Sequence, residues 1–191
     1  MKKTTRKMAA FFGILFGLVC FFGAPELRAD KVMFSFSAGF LFPADSNYKE
    51  IYGQQVLGPE FKLGLRIVND FYVYGSFFNF NKNGRTPVLE EATSSKQQFI
   101  GGGLAYFPYL NRSWKLFIGA GVGSLSYKEE AMDLTVNGSK LGFLLEGGIY
   151  FKEKFMFIGL NAGYCSASDT YEEVKFKIGG ARTSLLLGFI F

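Results

Sequence analysis

Residues 58–68 read GPEFKLGLRIV, in which Phe61, Leu63, Leu65 and Ile67 alternate with Glu60, Lys62, Gly64 and Arg66. Successive side chains of a β-strand point to opposite faces, so strict alternation places four bulky apolar groups on one side. The other side receives three charges and a glycine. A helix would scatter both sets around its axis, and the segment is therefore read as a strand with one apolar face.

The pattern recurs on either side. In residues 31–42 (KVMFSFSAGFLF), Val32, Phe34, Phe36, Phe40 and Phe42 oppose Met33, Ser35, Ser37 and Gly39. Further strands are expected at about 71–80, 96–107, 114–127, 139–151, 155–166 and 177–191, which makes eight. Leu116, Ile118, Ala120 and Val122 oppose Phe117, Gly119, Gly121 and Gly123. Leu141, Phe143, Leu145 and Ile149 oppose Gly142, Leu144, Glu146 and Gly148, and Leu185, Leu187, Phe189 and Phe191 oppose Ser184, Leu186, Gly188 and Ile190. The segments at 71–80, 96–107 and 155–166 are apolar on both faces, so alternation does not orient them.

The connections alternate too. Asn69-Asp70, Pro108–Ser113 and Lys152–Lys154 are short links, and the other four connections are polar stretches of about ten to fifteen residues. A transmembrane barrel has this rhythm, with short periplasmic turns and longer external loops. Aromatic residues gather beside the short links (Phe71, Tyr72, Phe107, Tyr109, Trp114, Phe151 and Phe155), as expected of a girdle at the membrane interface.

Eight strands enclose room for side chains and little else, so the face crowded with Phe and Leu is expected to point outward, into hydrocarbon. Closing the sheet pairs every edge, which a membrane interior requires. The inner face then holds glycines, with Gly119, Gly121 and Gly123 making room for large neighbours. It also holds the charges Lys62, Arg66, Glu146 and Arg182. The second and sixth strands lie across the ring from one another, so these four are expected to form an ion-pair network in the lumen, because buried charges need partners.

Composition agrees with this reading. The 191 residues include 24 Phe and 24 Gly, and no segment after the N-terminus carries a long helical apolar period. Residues 1–29 read as a cleaved signal peptide: a basic MKKTTRK, an apolar run from Met8 to Ala24, and Ala29 before the cut, leaving 30–191 as the barrel domain. Val19 before Cys20 is too large for a lipoprotein signal. Removing Lys2, Lys3, Arg6, Lys7, Arg28 and Glu26 from 21 basic and 16 acidic residues leaves 16 and 15, a balance that gives no case for nucleic-acid binding. Cys165 is then the single cysteine, read as a small buried strand residue.

The eight alternating segments and the C-terminal LLLGFIF resemble the small outer-membrane barrels of the OmpA/OmpX kind across the whole of 30–191. The resemblance implies an all-β, eight-stranded antiparallel up-and-down transmembrane barrel in the cell outer membrane. It also implies that Leu187, Phe189 and Phe191 act as the C-terminal signal read by the barrel-assembly machinery during insertion. The partners it implies are outer-membrane lipid and lipopolysaccharide.

The sequence has no histidine, which removes the Ser-His-Asp triad and the usual general base. Barrel enzymes that depend on a catalytic histidine are excluded with them. The acidic pairs Glu90-Glu91, Glu129-Glu130 and Glu172-Glu173, with Asp133 and Asp169 nearby, are read as solvated loop surface, although they could bridge to lipopolysaccharide through divalent cations. Gly101-Gly102-Gly103 sits in a strand pattern and is not a phosphate loop. No cofactor or metal is expected. The expected function is non-enzymatic: an envelope protein, or one that presents external loops to an unidentified surface partner. The alternatives are solute transport or ligand binding through the lumen, and a soluble lipocalin-like binder.

Overall fold

The computed structural model describes residues 31–86, 90–131, 134–171 and 173–191; the expected signal peptide lies outside them. Eight antiparallel strands form a closed barrel in chain order. They are β1 (Val32–Pro43), β2 (Val56–Val68), β3 (Phe71–Arg85), β4 (Ala92–Tyr106), β5 (Trp114–Ala131), β6 (Leu134–Glu153), β7 (Met156–Tyr171) and β8 (Val174–Ile190). One helix, α1 (Ser46–Tyr52), interrupts the β1–β2 connection. Closure runs through β1 and β8, where Phe34 faces Phe189 and Phe42 faces Ala181.

The outer wall is apolar, both in the segments that alternation oriented and in β4 and β7, which it did not. Leu65, Ile100, Leu104, Ile118, Val122, Leu145, Leu160 and Leu185 are all exposed, Leu160 by 68%. Soluble monomers rarely expose so continuous an apolar surface. The β5–β6 ladder from Trp114↔Phe151 to Ser124↔Leu141 is about 33 Å long at about 3.3 Å per residue. A tilt of about 40° reduces this to about 25 Å of height, which is the apolar band of a membrane barrel. Among the described residues no helix is long and apolar enough to cross a membrane. At the short-turn rim the outer wall carries ring pairs: Phe71 with Tyr106, Trp114 with Phe151, and Phe155 with both Phe189 and Phe191.

Two features differ from the sequence expectation. The polar stretches after β3 and β5 are largely strand: pairing continues to Arg85↔Ala92 and to Ala131↔Leu134, and the β7–β8 ladder runs to Tyr171↔Val174. The outward side chains there are polar, and inward ones such as Thr93, Ser95 and Gln97 are polar although buried, so apolar–polar alternation disappears while the backbone hydrogen bonds continue. In addition, Tyr72 and Phe107, read as girdle residues, are buried and point into the barrel. Proximity to a turn does not decide facing; parity along the strand does.

Helix α1 begins at Asp45, whose carboxylate accepts hydrogen bonds from the backbone N–H of Asn47 and Tyr48 and, across the mouth, from Lys177. That is an N-cap with a tertiary tie. The helix stops at Gly53, whose φ of 86° suits glycine. Tyr48 and Tyr52 are buried against the barrel rim, so α1 lies across the external opening.

Candidate functional site: a sealed lumen and a raised external wall

The lumen is filled in three layers. Nearest the short turns, Tyr72, Phe107, Phe117, Tyr150 and Phe157 pack edge-to-face, with ring centroids 5.6–6.0 Å apart. Lys115 enters this layer, its Nζ 4.4 Å from the Phe107 ring centre and 4.1 Å from that of Tyr109. Such cation–π contact is a favourable setting for a charge away from water.

The middle layer is ionic. Glu146 on β6 accepts from Lys62 on β2 at 2.8 Å and lies 3.5 Å from Arg182 on β8. Arg182 also meets Glu60 at 3.0 Å. All four side chains are at most 2% exposed. Asn161 donates to Glu146 at 3.3 Å and accepts from the Tyr150 hydroxyl at 2.9 Å, while Ser37 and Ser184 donate to Glu60. Two acids and two bases make the cluster neutral, which is what a low-dielectric interior demands of buried charge.

Above it, Phe78 stacks on Phe99 at 5.0 Å and contacts Phe80 at 5.5 Å, while the Arg182 guanidinium caps the Phe78 ring at 4.0 Å. Leu41, Leu125, Leu144 and Ile178 are buried as well, and α1 sets Tyr48 and Tyr52, both buried, at the rim. The lumen thus holds more aromatic residues than an apolar-outside argument allows. Glycines make that room. A Cβ on Gly119 would come within 3.0 Å of the Phe117 ring and of the Tyr74 hydroxyl, and one on Gly123 within 2.8 Å of the Phe99 ring.

Of the charges expected in the lumen, Lys62, Glu146 and Arg182 come together. Arg66 does not join them: it is half-buried and paired in register with Tyr72, four residues nearer the short turn, beside a register shift. The expectation omitted Glu60, Lys115 and Asn161. Glu60 precedes Lys62 by one same-face step, so parity alone could have found it. Lys115 likewise shares the inner-face parity of Phe117 and Gly119, whereas Asn161 lies in a segment whose alternation does not orient it. Leu187, Phe189 and Phe191 lie along the outer face or at its foot, with Phe189 paired to Phe34 and Met156.

Glu90, Glu91 and Glu173 are exposed and outside the strands, as expected of loop surface. Glu129 and Glu130 are on β5 and face opposite ways: Glu130 pairs with Lys128 and Ser94, whereas Glu129 is half-buried beneath α1. Burial pushes the Glu129 carboxyl above its ordinary range, the Asp45 charge adds to this, and the Ser95 hydroxyl opposes it. Asp169 is held low by Lys140, 3.0 Å away. Glu172 and Asp133 lie outside the described residues, and among those described no three acidic, Cys or His side chains are grouped to hold a metal.

A groove of about 630 Å³ lies on the outer wall, lined by Leu104, Tyr106, Ala120, Leu145, Ala162 and Tyr164 among others. It faces hydrocarbon, not the lumen.

No protein-family model matches the chain, and no curated protein matches it. Solved structures do. NspA, Neisserial surface protein A, matches with a TM-score of 0.66 at 14% identity, covering 85% of this chain and 99% of that one. Ail, the attachment invasion locus protein of Yersinia pestis, in complex with the heparin analogue sucrose octasulfate, matches at 0.58 and 18%, with coverage of 85% and 99%. The chain has the fold of the small eight-stranded outer-membrane barrels. The N-terminal barrel domain of Pseudomonas aeruginosa OprF is a further example, at 0.50 and 11%, covering 86% of this chain and all of that one. Within that fold, the interior carries buried aromatic rings and a buried ion cluster.

Proposed function

We propose that the chain is a non-enzymatic outer-membrane barrel, closed to solutes, that works through the structure it raises above the membrane. The observation that carries this reading is the three-layer lumen. Aromatic rings, a neutral ion cluster, a second aromatic layer and α1 succeed one another along the axis, and no continuous water path is compatible with that packing. Transport through the lumen and a lipocalin-like ligand cavity both need space that these side chains fill.

The hairpins are the part of the molecule free to meet a partner. The ladders of β3 through β6 continue well past the apolar band, and continued pairing gives a rigid surface instead of mobile loops. The name of Ail, and its complex with a heparin analogue, describe surface contact for that protein; a comparable use of the external hairpins is the reading favoured for this chain. Insertion by the barrel-assembly machinery, with Leu187, Phe189 and Phe191 in the terminal strand, belongs to the same proposal. So does the absence of catalysis: the buried acids are neutralised by bases and open to no substrate.

Two measurements test the reading. Outer-membrane fractionation with electrophoresis of boiled and unboiled samples is expected to give a heat-modifiable band that needs detergent. Single-channel recording in planar bilayers is expected to show no steps. Reproducible conductance would refute the sealed lumen and make solute transport the function to pursue.

A further inference from the structure

Helix α1 sets the rings of Tyr48 and Tyr52, 4.6 Å apart, against the inner face of β4 and β5 where these strands rise above the apolar band. Ser95 on β4 and Glu129 on β5 are direct cross-strand partners on that face, and Thr93 is the next inward residue beyond Ser95. The Ser95 hydroxyl stands beside both the Glu129 carboxyl and the Tyr48 hydroxyl, and the Thr93 hydroxyl stands beside that of Tyr52. Oxygen-bearing groups from β4, β5 and α1 therefore converge beneath the helix.

These groups do not satisfy one another. Tyr48, Thr93 and Ser95 are each at most 6% exposed, and their hydroxyls make no hydrogen bond despite their oxygen-bearing neighbours. Glu129 forms no ion pair among the described residues, and the charge acting on its carboxyl is the like one of Asp45. Buried polar groups need partners, and a native orphan calls for an unseen water or ion. A water molecule would pair the hydroxyls and leave the two carboxylates repelling. A cation answers both.

The donor set selects the cation. Every ligand is an oxygen, with no nitrogen or sulfur to favour zinc or copper. Calcium takes about six to eight oxygens in flexible geometry, waters included, whereas magnesium demands a near-ideal octahedron and dehydrates reluctantly. A site with one directly placed carboxylate belongs with the weak calcium sites of extracellular modules, at about 10⁻⁴–10⁻³ M. We propose that Glu129, Ser95, Thr93 and Tyr48 form a calcium site that fastens α1 to the external rim. Glu130 takes no part, because it faces the other way and is held by Lys128 and Ser94. The site lies outside the apolar band and depends neither on the sealed lumen nor on a partner at the hairpins.

The test reads amide exchange over residues 46–53 in the full barrel in detergent, at fixed pH, first in chelator and then in calcium or magnesium chloride, with sodium chloride holding the ionic strength. Calcium at about ten times its Kd is expected to slow exchange about tenfold, because the lid must release the ion before it opens. Magnesium should have little effect. Glu129→Gln is expected to lose the calcium response, yet in chelator its lid should be at least as protected as the wild type, because the repulsion with Asp45 has gone. Ser95→Ala should need more calcium for the same slowing, and Glu130→Gln should respond as the wild type does. A wild type indifferent to calcium, or a Glu129→Gln variant that responds fully, would overturn the proposal. Equal slowing by magnesium would overturn it too, since that marks general screening of the two carboxylates.

Discussion

Lys62 Nζ and Glu146 Oε2 meet 2.8 Å apart, from strands four places apart in a ring of eight. Removing one partner of a buried pair leaves the other uncompensated, at a cost of about 3–5 kcal/mol. Glu146→Gln is therefore expected to lower the thermal unfolding midpoint in detergent. A Lys62→Met/Glu146→Leu double variant should recover most of the loss, since Arg182 keeps Glu60. An unchanged midpoint in the single variant would sink the account of the cluster.

Gly123 leaves space for the β4 backbone at Gly101 and Ile100, 2.5 Å from where a Cβ would stand, and for the Phe99 ring at 2.8 Å. Gly123→Val is expected to destabilise the barrel by about 1–3 kcal/mol through overpacking. The variant Phe99→Leu should relieve part of the penalty when combined with it. If chemical unfolding finds the two changes simply additive, the ring is not what the glycine accommodates.

Asp45 ties α1 to β8 through the Lys177 backbone N–H while capping the helix. Asp45→Ala should cost the lid about 0.5–2 kcal/mol, seen as faster amide exchange and proteolysis over residues 46–53, with the barrel midpoint little changed. Loss of the folded band would show that the lid and barrel are not separable in this way.

Glu129, beyond the apolar band, holds its proton more tightly in the folded protein than the ordinary value of 4.5. Its contribution therefore favours the folded lid at low pH and is lost as pH climbs from the ordinary value through the raised one. Once ionised, the carboxylate is a cost to the folded lid. Amide exchange at Tyr48 and Tyr52, corrected for intrinsic rates, should quicken as pH rises through this window. Glu129→Gln should flatten the dependence and protect the lid at pH 7; a variant with wild-type pH dependence would assign the effect to another group.

Alternation in GPEFKLGLRIV and its counterparts was sufficient for strand number, for the outward apolar face of five of the eight strands and for the order of connections. Each of these depends on residues two apart in sequence facing one environment, a local and periodic constraint. Glu60, Lys62, Glu146 and Arg182 were legible as inward charges for the same reason. Their pairing was not, because which acid meets which base depends on the tilt and stagger of the closed ring. The aromatic layers were hidden for a related reason: Phe78, Phe99 and Phe157 are as apolar as lipid-facing residues, and only the glycines opposite them, at positions set by register, decide that they fit inside. The external wall shows the same division. Its residues are polar in the sequence and look like loop, because alternation disappears where inward and outward side chains are both polar; the backbone ladder that makes Lys96 a neighbour of Lys128 is formed between chains of residues more than thirty apart.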